Sequence, residues 1–212
     1  MDTPMKHTFS KQLPAVKAWL GTGSINIFGF PYAGKDMHGR ELAEFLDAPL
    51  LSGGDILRNS TIPARVKEAM HAGLLVPSQD YINIVTPFLS NPDFEERPLI
   101  LSSLGRWIGE EEGVIGALNT TGHPLKAVIY LNIDETTVWE RWHDSQAKQD
   151  RGERADDAEH IIEARLAEFR NKTLPVIEHY RKLGLLIEFD SKLSKAEVTK
   201  RIIDELFKKA IV

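Results

Sequence analysis

Short apolar runs alternate along this chain with longer stretches whose apolar positions recur at helical spacing. That alternation predicts a parallel sheet with helical crossovers, an α/β architecture. Five runs qualify as strands, at residues 24–28, 48–52, 98–102, 127–133 and 185–190. Residues 35–47 set Leu42, Phe45 and Leu46 on one helical face. Residues 79–89 group Ile82, Val85, Pro87 and Phe88, and Pro87 must end or bend that helix because it lacks a backbone donor. From 157 to 183 a long stripe runs through Ile161, Ile162, Leu166, Phe169, Leu174 and Ile177, with a kink expected at Pro175. A closing helix is expected from Ser194, an N-cap with Glu197 three residues on, to about Lys209. Residues 1–23 read as an appendage with a short helical piece at 13–20 and Gly21-Thr22-Gly23 as a hinge.

The length, 212 residues, fits one compact domain. Twenty-six Lys and Arg against thirty-one Asp and Glu leave a net charge of −5, which argues against general nucleic-acid or anionic-membrane binding. With no cysteine, the chain has no disulfide, no cysteine-ligated metal and no thiol nucleophile. No apolar run reaches the ~20 residues of a membrane helix. Residues 1–10 carry Lys6 and His7 without the apolar stretch of a secretory signal, so a cytoplasmic location is expected. The histidines, His38 included, show no metal-ligand spacing.

The first chemistry lies directly after the first strand. Gly29-Phe30-Pro31-Tyr32-Ala33-Gly34-Lys35-Asp36 spells G-x-x-x-x-G-K between a strand and an amphipathic helix. Glycines let such a loop curl so that its N–H groups converge on phosphate oxygens, and the helix N-terminus adds its dipole. Lys35 contributes a point charge. Asp36 stands where Ser or Thr is usual. Beside phosphate it must either ligate Mg²⁺ or point away.

Further motifs follow in order. Gly54-Asp55-Ile56-Leu57-Arg58 comes just past the second strand, and Gly73-Leu74-Leu75-Val76-Pro77 opens the helix before the third. Arg106 follows the third strand and Arg141 the fourth, and after them come Arg154-Ala155-Asp156-Asp157, Arg165 and Thr173-Leu174-Pro175. In this order and spacing, residues 24–210 resemble the adenylate kinase branch of the nucleoside monophosphate kinases. The resemblance implies a P-loop nucleoside triphosphate hydrolase fold, a five-stranded parallel sheet in the order 2-3-1-4-5. It divides the chain into an extension (1–23) and a kinase domain (24–212) with an acceptor-binding segment (53–83) and a short lid (142–154).

The resemblance also implies roles. Gly29, Pro31, Tyr32, Ala33, Gly34, Lys35, Asp36, Met37 and Arg141 match the ATP site. Gly53, Asp55, Arg58, Leu75, Val76, Arg106, Glu110, Arg154 and Arg165 match the acceptor site. Lys35, Arg106, Arg141, Arg154 and Arg165 match the catalytic cations, while Asp156 and Asp157 match a lid hinge. The implied reaction passes the γ-phosphoryl group of Mg·ATP to a nucleoside monophosphate, most simply AMP, in a monomer. The residue types agree with that chemistry, since phosphoryl transfer needs fixed cations around the equatorial oxygens and Arg binds phosphate bidentately.

Departures from the family pattern mark where this chain is its own. Tyr32 replaces a usual glycine, and Asp36-Met37 replaces Gly-Thr. Ser102-Ser103-Leu104-Gly105-Arg106 replaces Asp-Gly-Phe-Pro-Arg, so a carboxylate that organises Mg²⁺ is lost at Ser102 and one appears at Asp36. Glu110 replaces a glutamine that reads the acceptor adenine. A carboxylate only accepts, which fits the paired N–H donors of GMP, unless Glu110 with Glu111 and Glu112 is simply a solvated helix face. Ser145 replaces a lid arginine, and Trp139 and Trp142 read as packing residues. Met37, Ser102 and Ser145 together also allow a nucleotide binder with weak turnover.

Overall fold

The computed structural model describes residues 8–148 and 158–212. Five strands form one parallel sheet: β1 (Ser24–Gly29), β2 (Leu50–Ser52), β3 (Leu99–Ser102), β4 (Leu125–Asn132) and β5 (Leu186–Asp190). Their order is β2-β3-β1-β4-β5, as expected, with β1 central and paired to β3 and β4. Every residue of β1 is buried, because helices cover both faces. This is the P-loop NTPase α/β fold, and its loops at the carboxyl ends of the strands form the cleft.

Strand boundaries moved for local reasons. β2 starts at Leu50 rather than Ala48, because Asp47 turns the chain at φ 55° and Pro49 has no N–H to give a ladder. Helix α1 (Leu13–Leu20) precedes β1, and α2 (Lys35–Leu46) follows it. Ser52 caps α3 (Gly53–Asn59) by accepting from the Asp55 N–H, and α4 (Ala64–His71) follows. Next comes α5 (Ser78–Val85), which stops where Pro87 opens a 3₁₀ turn (Thr86–Ser90). α6 (Glu110–Thr120) and α7 (Glu135–Lys148) flank β4. The long stripe resolves into α8 (Glu159–Glu168), a π turn (Phe169–Thr173) and α9 (Leu174–Lys182). Pro175 directly follows the π turn in a helix that runs on from α8, so the expected interruption takes the form of a widened turn just before the proline. Ser194 accepts from the Glu197 N–H to begin α10 (Lys195–Ala210).

The segment before β1 is packed into the main core. Phe9, Leu13, Val16 and Leu20 are all buried there, and the Phe9 and Phe45 rings lie 5.9 Å apart. Gly21-Thr22-Gly23 is a pinned turn rather than a hinge. Thr22 donates to Gly122 O at 2.8 Å, and Gly23 N to Leu20 O at 2.8 Å. A Cβ on Gly23 would stand 2.8 Å from Leu20 O, so only glycine fits.

A second core lies under residues 53–94. Ile56, Leu57, Val66, Val76, Tyr81, Val85 and Leu89 pack there on Leu99 and Leu101 of β3. Ile100 faces the main core instead, as strand alternation requires. The expected acceptor segment therefore has an apolar floor of its own.

Candidate active site

One cleft of about 720 Å³ runs from the loop after β1 to the α3–α5 segment. Its size is that of a small-molecule site. Among the described residues, seven cations line it (Lys35, Arg40, Arg58, Arg106, Arg141, Arg165, Lys195) against three carboxylates (Asp36, Glu110, Asp144). In a chain of net charge −5, that local excess points to a polyanionic ligand.

The loop after β1 has its carbonyls tied back and only its Ala33 N–H spent internally, on Phe30 O at 3.2 Å, which suits it to such a ligand. Lys35 Nζ donates to Gly29 O at 2.9 Å and to Phe30 O at 2.8 Å. Arg141 holds Tyr32 O at 3.0 Å, and Ser191 Oγ holds Ala33 O at 2.8 Å. Four consecutive-region carbonyls are thus tied down by donors. Helix α2 has no side-chain N-cap, so its first N–H groups are offered to the cleft. Gly34 turns at φ 92°. Tyr32 takes φ 63°, where an L residue costs about 1–2 kcal/mol. The backbone keeps the glycine-like turn even though the residue is not glycine. Gly29 is required for a different reason, since a Cβ there would stand 2.7 Å from Leu131 O.

Behind the loop, His38 is 2% exposed and burial lowers its pKa to about 4, so it is neutral at pH 7. Thr199 donates to Glu41, and its oxygen therefore accepts the Nδ1–H of His38 at 2.9 Å. Met37 and Asp36 both line the cleft, and Asp36 Oδ1 stands 3.5 Å from Ser102 Oγ.

Across the cleft lies a second group of cations, of which residues 103–107 carry Arg106. Asn26, fully buried in β1, fixes this loop by donating to Leu104 O at 2.7 Å and accepting from Leu104 N at 3.3 Å. Burial, then the neighbouring Arg165, lowers the pKa of Arg106 to about 10. Arg58 is half-exposed and paired with Asp55 at 2.6 Å. Asp55 itself does not line the cleft, whereas Gly53, Leu75 and Val76 do. Burial and the lost hydration also lower the pKa of Arg141.

Glu110 is not a solvated helix face. It is 2% exposed, and Glu111 beside it 1%, because both lie at the start of α6 where the chain turns inward; only Glu112 faces out. Glu110 Oε1 accepts from Ser78 Oγ at 2.7 Å, and Oε2 from the N–H groups of Arg106 (3.0 Å) and Trp107 (3.2 Å). Burial raises its pKa while these donors pull it back. Trp139 and Trp142 pack edge to face at 5.6 Å against the main core, and Ser145 lines the cleft from α7.

The structure thus brings together Lys35, Arg58, Arg106, Arg141 and Arg165. Arg154, Asp156 and Asp157 lie outside the described residues, as does the end of the 142–154 lid. Arg40, Tyr81, Asp144 and Lys195 also line the cleft. They belong to no local motif, and only the packing of α2, α5, α7 and α10 around the sheet brings them in.

Comparison with known proteins agrees with this geometry. The family model for adenylate kinase matches residues 27–185. An adenylate kinase of Nocardioides sp. is 32% identical over 185 residues, covering 85% of this chain and 95% of its own. One from Chelativorans sp. is 34% identical, covering 83% and 94%. The chain belongs to the adenylate kinase family. A third relative, the adenylate kinase of Cyanothece sp., is 28% identical and covers 88% and 97%. This adenylate kinase family member is an enzyme, a nucleoside monophosphate kinase. Among the described residues, no helix is long and apolar enough to cross a membrane, and no cluster of three or more His, Asp or Glu is placed to hold a metal by itself.

Proposed function

We propose that this enzyme transfers the γ-phosphoryl group of Mg·ATP to AMP, giving two ADP. The observation that supports this reading is the pairing of two cation groups in one cleft. Lys35 and Arg141 border the loop after β1, and Arg58, Arg106 and Arg165 border the α3–α5 side. ATP takes the first place, with its terminal phosphates on the loop N–H groups and Lys35. The acceptor phosphate takes the second. Its oxygen attacks the γ-phosphorus as the bond to the β–γ bridging oxygen breaks, and the arginines between them offset the equatorial charge. Arg141 gives two of its five N–H groups to Tyr32 O and Ser191 O, which anchors the guanidinium with donors to spare for phosphate. Arg154 and the lid complete the set by the family pattern. A monomer in the cytoplasm is the simplest setting for these diffusible substrates.

The residues fit Mg²⁺ as a partner of the nucleotide phosphates rather than as a protein-held ion. Asp36 and Ser102, their oxygens 3.5 Å apart, are the donors that would meet its waters. Bound there, the ion neutralises phosphate charge. Asp36→Asn is expected to raise the Mg²⁺ concentration for half-maximal rate about tenfold. An unchanged Mg²⁺ titration would assign Asp36 no part in holding the ion.

The direct test is an assay of purified protein with Mg·ATP against AMP, GMP, CMP and UMP, resolving the diphosphate products by chromatography. AMP is expected to be the preferred acceptor. Preference for GMP would restore the alternative in which the Glu110 carboxylate alone reads the base. Nucleotide binding without any product would show that Met37, Ser102 and Ser145 have left a weak or inactive binder.

A further inference from the structure

An acceptor nucleotide with its phosphate at Arg106 must place its base elsewhere in the α3–α5 half of the cleft. Apart from arginines, the polar side chains lining that half among the described residues are Ser52, Tyr81, Ser103 and Glu110. Two of these are occupied locally. Ser52 caps α3, and Ser103 Oγ donates to Ile27 O at 3.4 Å. Tyr81 and Glu110 remain.

Both are fixed by the same loop. The Tyr81 hydroxyl oxygen accepts from Gly105 N–H at 3.4 Å, and Glu110 Oε2 accepts from the next N–H, that of Arg106, at 3.0 Å. Two successive peptide groups therefore hold a phenol and a carboxylate as neighbours. Gly53 makes the space, since a Cβ there would stand 2.6 Å from the Tyr81 hydroxyl. Tyr81 is 6% exposed, and burial together with the Glu110 charge raises its pKa and keeps its proton on. No described hydrogen bond uses that proton. Glu110 has about four lone-pair sites, and three already take Ser78, Arg106 and Trp107, leaving one.

We propose that Tyr81 and Glu110 read the acceptor base together, the phenol donating to a ring nitrogen and the carboxylate accepting one N–H from the adjacent exocyclic amine. This rests on the nucleoside monophosphate reading of the cleft. The N1 and N6 edge of adenine supplies that pair. Guanine presents two N–H donors side by side to a carboxylate with one site left, and one donor would be buried unpaired. Tyr81 thus supplies the donor that a glutamine-to-carboxylate change removes.

The test compares AMP with its 1-deaza analogue, which lacks the ring acceptor, and with purine riboside 5′-monophosphate, which lacks the amine. Each analogue is expected to show a kcat/KM about tenfold below that of AMP with the unaltered enzyme, mainly through KM. Tyr81→Phe is expected to lose about tenfold with AMP, to leave the KM for ATP unchanged, and to treat AMP and 1-deaza-AMP alike. A merely structural tyrosine would not erase that distinction. If Tyr81→Phe lowers activity but still discriminates against the 1-deaza analogue, or if the unaltered enzyme uses both analogues as well as AMP, the inference is overturned. The analogue arm with unaltered enzyme decides even where the variant folds poorly. Activity with UMP alone, or with no monophosphate, overturns the acceptor reading itself, and AMP turnover indifferent to N1 overturns only the role of Tyr81.

Discussion

Lys35→Ala is expected to lower kcat with Mg·ATP and AMP by about a thousandfold, at little cost to the fold. The magnitude is that of removing a preorganised donor from a charge-building transition state, added to the loss of a fixed cation. The ammonium stands on Gly29 O and Phe30 O, at the base of the loop after β1. When phosphate arrives, it exchanges carbonyl oxygens for oxygens that carry formal charge, and those bonds strengthen further as charge develops. The folded protein loses the two part-buried hydrogen bonds to Gly29 O and Phe30 O, about 0.5–1.5 kcal/mol each. The thermal midpoint should therefore fall by only a few degrees while turnover nearly vanishes. A variant that retains more than a tenth of the activity would place phosphoryl transfer away from this loop.

Arg106→Met is expected to separate stability from activity. Turnover should fall by about a thousandfold, as expected for a cation on the transferred group. The thermal midpoint of the free protein should hold or rise. Desolvation and then the like charge of Arg165 disfavour the Arg106 cation in the folded state, which lowers its pKa to about 10 from an ordinary 12.5. The sign of the pH dependence follows from that shift. Between about pH 10 and 12.5 the unfolded chain binds the extra proton, so the cost of the charge is relieved only as pH rises through that window. At neutral pH the cost is present in full. A methionine of similar length fills the site without it, as replacement of buried charges by apolar groups commonly does. Binding should show the opposite. A dinucleoside polyphosphate that spans both sites should raise the midpoint of the unaltered enzyme through linkage, and of the variant far less. A fall of many degrees in the free variant would instead make Arg106 a structural residue.

Such a site, destabilising in isolation and stabilised by its ligand, explains why its cations come from dispersed parts of the chain. No short segment can hold five arginines and lysines against one another. Each is anchored separately: Arg58 by Asp55, Arg141 by two carbonyls of different loops, and Lys35 by its own loop. The anchors differ in strength. The exposed Arg58–Asp55 pair is weak and free to exchange for phosphate, whereas the 103–106 loop under Arg106 is locked by the buried Asn26.

The sequence by itself determined the sheet and the phosphate loop. Alternating strand and helix periods leave few ways to bury the apolar runs, and right-handed crossovers reduce them further. G-x-x-x-x-G-K is legible because the whole device is local: a turn that only glycine makes at Gly34, followed by a helix N-terminus. The helix end at Pro87 and an interruption of the long helix near Pro175 were legible for the same reason, since a missing donor acts within one turn. Only the tertiary structure decided what distant partners decide. Residues 13–20 are mostly apolar, but a helix of eight residues does not say what it packs on, and only the fold sets it against the core beside Phe45 and α10. Glu110 sits in an acidic triplet that reads as solvated, and its burial depends on Ser78 and the 106–107 amides offering three donors to one carboxylate. Tyr81 fits its period as a core residue. That its hydroxyl reaches the cleft depends on the absent side chain of Gly53, twenty-eight residues away, and on the turn at Gly105. Periodicity records which face of an element is apolar, but not which polar atom ends up beside which, because hydrogen-bond partners are set only once the elements have packed.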